Sequence, residues 1–280
     1  MKGRIMGIKI FSIGAVLAAF LFLCSTVVMA EAPKLQHEEM LYPTVLVTTG
    51  GRGSGSGTVI YSEMNGGEWE SYVLTNHHVV NSAITIKKIF DPQEGETKEV
   101  EMRRPVKIDI YEYNDYSTAI GTTGRTGNIV AYDKLRDLAL IQIDDKERPV
   151  KFVGKLYPEN ADGPWIFQET FAVGSGLGAP PFPTVGLLSG YGKDKDGRAL
   201  YLSSSPIIFG NSGGSLWVKN KRGYELIGVP SMVSGYGWGS VVSHMGWSRP
   251  ISEIRIFFRE NDFGFILGDK VEELSGSVDE

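Results

Sequence analysis

Ser212 stands in the run Phe209-Gly210-Asn211-Ser212-Gly213-Gly214-Ser215-Leu216. Three glycines within five positions point to special backbone angles or to something approaching the main chain closely. A serine so placed is either part of a flexible turn between strands or a nucleophile, and a hydroxyl becomes a useful nucleophile only beside a general base. Four histidines could supply one: His37, His77, His78 and His244. His37 sits in a polar leader and reads as a solvated surface residue. His244 lies in a late apolar run and reads as a hydrogen-bonded structural residue. His77 and His78 follow the strand-like SYVLTN (71–76) and precede Val79-Val80. Neighbours in an extended segment point to opposite sides, so at most one of the two faces a given site. Adjacent residues also converge poorly on one ion, and no ligand spacing supports a metal hydrolase built from His77, His78 and His244.

Asp137 leads directly into Leu138-Ala139-Leu140-Ile141. A surface turn is the bland explanation for such a carboxylate, and Asp133 fits it better. A carboxylate at the mouth of a buried strand is what an imidazole needs to fix its tautomer and stabilise its cation. The order is then histidine, aspartate, serine, with 59 positions from His78 to Asp137 and 75 from Asp137 to Ser212.

The elements that must position these residues are short extended runs separated by glycine, asparagine, aspartate and proline. Examples are 44–48, 57–61, 71–74, 84–86, 106–111 and 138–143, then 170–173, 185–189, 199–203, 214–218, 224–229 and 239–244. About a dozen such runs predict an all-β sandwich or barrel, and closure into barrels leaves few exposed strand edges. Helical periodicity appears only at 252–259, where Ile254, Phe257 and Phe258 share a face with Ile251 just before it. The polar stretches 62–70 and 91–104 read as surface loops, and 269–280 as a fraying acidic end.

Lys2, Arg4 and Lys9 precede an uncharged run from Ile10 to Ala30, and Val28-Met29-Ala30 offers small residues for signal cleavage before Glu31. The same 21 residues are long enough to span a bilayer if they are not cut. The only cysteine, Cys24, lies in this segment, so the rest has no disulfide, no cysteine nucleophile and no thiolate metal site. Removing the three cations takes the formal net charge from −5 to −8. An acidic chain without a basic patch argues against nucleic acid.

Gly210–Gly214 also satisfies the G-x-S-x-G pattern of an α/β-hydrolase, but that fold runs serine, acid, histidine on alternating strands and helices. Here only His244 follows Ser212, and the helices are missing. TNHHVV (75–80), RDLALI (136–141) and GNSGGSL (210–216) instead resemble the three catalytic blocks of trypsin-like serine proteases. The chain is most similar to the cysteine-free bacterial HtrA (Deg) branch. GSGSGTVI (53–60) and FAVGSGLGAPPFPTVGLLSG (171–190) agree with it, and the resemblance spans roughly 40–260.

The resemblance implies two six-stranded antiparallel β-barrels with a short C-terminal helix. It implies His78 as general base, Asp137 as the carboxylate that orients it, Ser212 as nucleophile, and the N–H groups of Gly210 and Ser212 as the oxyanion hole. His77 falls at a variable slot. Pro206 would lie near the base of the primary pocket, and Ser231, Met232 and Val233 on the strand that pairs with substrate. No acidic residue falls at the pocket base, so a small or medium apolar side chain is expected at the cleavage position rather than Lys or Arg.

Three departures qualify the match. Asn211 replaces the aspartate that pairs with a new N-terminus in pancreatic-type enzymes, so no activation by such a cut is expected. Ser215 stands where the family has proline, and no PDZ domain fits the sequence. The expected organisation is a signal peptide or anchor at 1–30, a leader at 31–40, the protease domain at 41–262 and an acidic tail at 263–280. The expected activity is that of an exported, periplasmic or secreted serine endopeptidase. It would act on polypeptides without a cofactor or metal, and touch a membrane only through its N-terminal segment. The rival expectation is a non-catalytic secreted binding or adhesion protein on the same scaffold.

Overall fold

Alternating apolar and polar residues give strands with one face to bury, and in the first half of the chain they do so by closing on themselves. The structure, a computed structural model, describes residues 35–50, 53–237 and 239–269. After a π-helical turn (His37–Leu41) come β1 (Thr44–Thr48), β2 (Ser54–Asn65), β3 (Glu68–Thr75) and a short helix α1 (His77–Val80). A hairpin of β4 (Ile84–Asp91) and β5 (Glu96–Arg103) stands apart, before β6 (Val106–Tyr113), β7 (Ala119–Asp133) and β8 (Leu138–Ile143). The first barrel closes in the order β1-β2-β3-β8-β7-β6. The second is built from β9 (Glu169–Gly174), β10 (Phe182–Lys193), β11 (Ala199–Ser203), β12 (Ser215–Asn220), β13 (Gly223–Tyr236) and β14 (Ser240–Pro250). It closes as β10-β11-β14-β13-β12-β9, every pairing in both barrels is antiparallel, and helix α2 (Ile251–Glu260) follows.

The near-continuous apolar run of β8 has a simple cause. Ala139 and Ile141 point into the first barrel with Val45, Val47, Val73 and Ile108. Leu138 and Leu140, on the opposite face, join Leu74, Leu216, Trp217, Leu226, Phe257 and Phe258 in a core shared by both barrels and α2. A strand buried on both faces loses the polar half of its alternation. Each such fully buried side chain contributes ~1.5–3 kcal/mol of transfer free energy. This shared core seats one barrel on the other and puts Asp137, at the start of β8, on the seam between them.

The stretches read as loops at 62–70 and 91–104 are largely strands. β2 and β3 continue past the barrel to a two-residue turn at Gly66-Gly67, both at positive φ, with Asn65 opposite Glu68. β5 is exposed along its whole length, and the only apolar alternation in Glu96–Arg103 is Val100 and Met102, too short among charged residues to mark it as a strand. The glycine-rich segment 234–243 forms the end of a β13–β14 hairpin, with Ser234 opposite Val242 and Tyr236 opposite Ser240.

Both ends of the described chain pack more than a leader and a tail would. Glu39, Met40 and Leu41 are buried, and the Glu39 carboxylate accepts from the Tyr224 N–H at 2.8 Å and pairs with Lys155. Phe263, Phe265, Ile266 and Leu267 pack against the shared core. The reading of residues 1–30 lies outside the described residues. Among those described, no helix is long and apolar enough to cross a membrane.

Candidate active site

Asp137 is set by its own backbone before its side chain is considered. It lies at φ +54°, a left-handed conformation that aspartate tolerates better than most residues. Its carbonyl accepts a 2.7 Å bond from Asn76 Nδ2, which ties the start of β8 to the residue that precedes α1. The carboxylate then receives three donors. Oδ1 accepts from the His78 N–H at 2.9 Å, and Oδ2 accepts from His78 Nδ1–H at 2.8 Å and from the Ser231 hydroxyl.

Burial pushes the Asp137 carboxyl up, but the His78 hydrogen bond and charge, with the Ser231 hydroxyl and the His78 amide, outweigh it and hold the group below its ordinary value. An ionised carboxylate can only accept, so Nδ1 of His78 must carry the proton and Nε2 keeps its lone pair when the ring is neutral. The His78 side chain is about half exposed, 47%, so the ring is open to solvent.

The serine loop is shaped by glycines at two points. Gly210 and Gly213 lie at φ +99° and +81°, where a side chain is strained. A Cβ on Gly210 would stand 2.5 Å from the Ser175 carbonyl oxygen, and one on Gly213 would collide with the Ser56 carbonyl and the Thr75 hydroxyl. The loop thus lies directly on Thr75 and Asn76, just ahead of His78. A Cβ at Gly55 would similarly meet Val79 at 2.6 Å and the Ser212 carbonyl at 3.0 Å, so β2 is sandwiched between α1 and the serine loop. Asp137 and His78 are thus paired at the barrel seam, and the loop that carries Ser212 rests on the residues just ahead of His78. Among the described residues, no hydrogen bond joins Ser212 Oγ to His78, and the N–H groups of Gly210 and Ser212 have no partner.

The other sequence-derived positions separate. Ser231, Met232 and Val233 lie on β13 and, with Asp137, Leu200 and Trp247, line a cleft of about 640 Å³. Pro206 is exposed, is not part of that lining, and accepts from Thr184 Oγ1 at 2.7 Å through its carbonyl. His77 is buried and stacks on Tyr132 with ring centroids 5.0 Å apart; burial lowers its pKa from the ordinary value. His37 is half-buried against the Ser117 hydroxyl rather than solvated. His244 is exposed on β14, not a buried structural residue, because its strand is at that point part of the projecting hairpin. Neither His78 nor Ser212 lines the cleft beside β13, and neither lines a larger cavity of about 850 Å³ beside Tyr42, Tyr113 and Phe152. The described residues contain no group of three or more His, Cys, Asp or Glu that could hold a metal.

The second role of Ser231, as a donor to Asp137, and the anchoring by Asn76 escape sequence reasoning. Both depend on contacts between residues 94 and 61 positions apart.

This fold has known counterparts. The chain belongs to the trypsin-like peptidase domain family, whose profile matches residues 55–229. Among solved structures it is similar to a serine endoprotease from Yersinia pestis, at 18% identity and a TM-score of 0.53, covering 84% of this chain and 66% of that one. It is also similar to the HtrA-type protease AlgW solved with a tripeptide, at 18% identity and a TM-score of 0.54, covering 82% of this chain and 62% of that one. Deg5 aligns at 21% identity and a TM-score of 0.54, covering 81% of this chain and 91% of that one. The chain thus spans just under two thirds of the first two. No curated protein sequence matches it.

Proposed function

We propose that the chain is an exported serine endopeptidase that cuts polypeptides through Ser212, His78 and Asp137. The observation that carries the proposal is the Asp137–His78 pair, its proton fixed on Nδ1, at the seam where the Gly210 and Ser212 amides stand unpartnered. Nε2 of His78 takes the Ser212 hydroxyl proton as Oγ attacks the substrate carbonyl carbon. The Gly210 and Ser212 N–H groups hold the developing oxyanion, where one donor typically contributes ~3–4 kcal/mol. His78 returns the proton to the leaving amine, leaving an acyl-enzyme, and water repeats the sequence to release the acid.

An extended substrate pairs with the backbone at Ser231–Val233 by strand addition. Met232 and Val233, with Leu200 and Trp247, give the cleft an apolar part among its charged lining and favour apolar side chains there, and Pro206 is assigned to the neighbourhood of the primary pocket's base. No cofactor, metal or nucleic acid takes part. The positive, then apolar, N-terminus supports an extracytoplasmic location, with membrane contact only through that segment. Asn211 supports activity without a newly cut N-terminus: its Oδ1 accepts the Ile208 N–H at 3.0 Å and it has no carboxylate to offer an ammonium.

One observation favours the alternative of a non-catalytic binding protein: the missing Ser212–His78 hydrogen bond. A fluorophosphonate probe decides between them. Labelling of the wild type but not of Ser212→Ala, with peptide cleavage lost in the variant by ~10³-fold or more, is the expected result. No labelling of either protein would leave the binding reading in its place.

A further inference from the structure

The GSGSG run ahead of the histidine strand has no part in the mechanism above, yet its second serine holds the serine loop at both ends. Ser56 is fully buried on β2 of the first barrel. Its Oγ donates to the Gly210 carbonyl at 2.6 Å and accepts from the Ser175 N–H at 2.7 Å. Its own N–H donates to the Ser212 carbonyl at 2.8 Å, and its carbonyl accepts from Thr75 Oγ1 at 2.7 Å. Every polar atom of the residue is used, and three of its four bonds go to the second barrel.

The consequence follows from the planarity of the peptide unit, in which carbonyl and N–H point in opposite directions. From Phe209 to Ser212, each carbonyl is turned onto the protein. Phe209 O accepts from Leu177 N at 2.7 Å, Gly210 O from Ser56 Oγ, Asn211 O from Gly214 N at 3.0 Å, and Ser212 O from Ser56 N. Holding the first and third turns the N–H groups of Gly210 and Ser212 the other way, out of the protein. The second and fourth fix the peptides between and after them. Gly210 is the residue most able to rotate, because it has no side chain and lies at φ +99°. Ser56 Oγ is the one side-chain atom that grips its carbonyl. Surrounding glycines leave room for this: a Cβ at Gly174 would stand 2.9 Å from Ser56 Oγ, and one at Gly214 3.2 Å from Ser56 Cβ.

We propose that Ser56 is a positioning residue for the oxyanion hole, a clamp by which the first barrel fixes the Gly210 peptide of the second. The inference rests on the peptidase reading for its kinetic consequence but not for its structural one. Ser56→Ala leaves the Ser175 N–H and the Gly210 carbonyl without a partner, so that the Gly210–Asn211 peptide is held only by the Asn211 N–H, 3.1 Å from the Ile208 carbonyl, and turns more easily.

The test combines kinetics with backbone amide exchange. Ser56→Ala is expected to lower kcat by about 10²-fold, the loss seen when one oxyanion donor is removed, with KM within about threefold. Affinity for a peptide boronate, which mimics the tetrahedral state, should fall in parallel with kcat. Affinity for the amine-side product peptide should not change. Exchange at the Ser175 amide should quicken while exchange across the barrel strands stays as in the wild type.

A kcat within threefold of wild type, or a loss confined to KM, would overturn the clamp. So would an unchanged Ser175 exchange rate. If Ser56→Ala does not fold, Ser56→Cys, with a weaker donor of similar shape, is judged by the same readouts and should fall between the two. If the wild type neither labels with fluorophosphonate nor turns over peptide, the peptidase reading fails by itself. The exchange measurement then still decides whether Ser56 holds the loop.

Discussion

Replacing Asp137 by asparagine separates the chemistry of the site from its scaffold. The backbone at φ +54° suits asparagine as well as aspartate, so the substitution adds no conformational strain, whereas alanine would. The side chain keeps its size but exchanges one acceptor for a donor. Asp137 meets three donors: the His78 N–H, His78 Nδ1–H and the Ser231 hydroxyl. An asparagine can face the first with its oxygen only by turning its NH₂ toward Nδ1, which forces the ring proton onto Nε2. The opposite orientation sets NH₂ against the His78 N–H, a fixed backbone donor that cannot adapt. The first orientation is the less costly, and in it the histidine can no longer accept the Ser212 proton. The expected loss in kcat is about 10⁴-fold, roughly 5.5 kcal/mol at the barrier. Turnover of a fluorogenic peptide measures it, with thermal unfolding as the control. A variant that keeps kcat within tenfold of wild type at unchanged stability would refute the assignment of Asp137 as the residue that fixes the tautomer.

Other outcomes follow from neighbouring contacts. His77 is buried beside Tyr132 with its pKa lowered by desolvation below the ordinary 6.5, so it binds protons more readily unfolded than folded. Its contribution to stability is complete above about pH 6.5 and declines as pH falls from there through the folded value. Denaturant titrations from pH 7 to pH 5 should show a steeper loss for wild type than for His77→Phe, which keeps the stack; equal slopes would exclude it. Gly213→Ala places a side chain at φ +81° against the Ser56 carbonyl and the Thr75 hydroxyl. The handedness alone costs ~1–2 kcal/mol, and with the collision the midpoint of thermal unfolding should drop by roughly 5 °C or more. An unchanged midpoint would show that the loop does not rest on β3 as described.

Legibility in the sequence varies with how local the cause is. The β-rich character, the terminal helix and the order His78, Asp137, Ser212 are readable because each is a pattern within a few residues. β8 shows its burial on both faces in LALI, and the serine loop shows its positive-φ turns as glycines. What is not readable is set by distance along the chain or by the absence of an apolar face. β5 and the outer parts of β2 and β3 are strands in air, held by backbone pairing with no core to impose an alternation. The burial of Met40 and Phe265 depends on where two chain ends meet a core assembled from the middle.

The same division runs through the site. The three residues proposed to do the chemistry stand in motifs, while those that hold them do not. Asn76, Ser231 and Ser56 are common polar residues whose partners lie 61, 94 and 154 positions away. A serine in GSGSG looks like turn material until Gly210 is seen against it. Its type is nonetheless dictated physically: the enclosed space admits nothing much larger, and the Ser175 N–H and Gly210 carbonyl require one atom that both accepts and donates. Among the small side chains a hydroxyl does that, and a thiol only weakly.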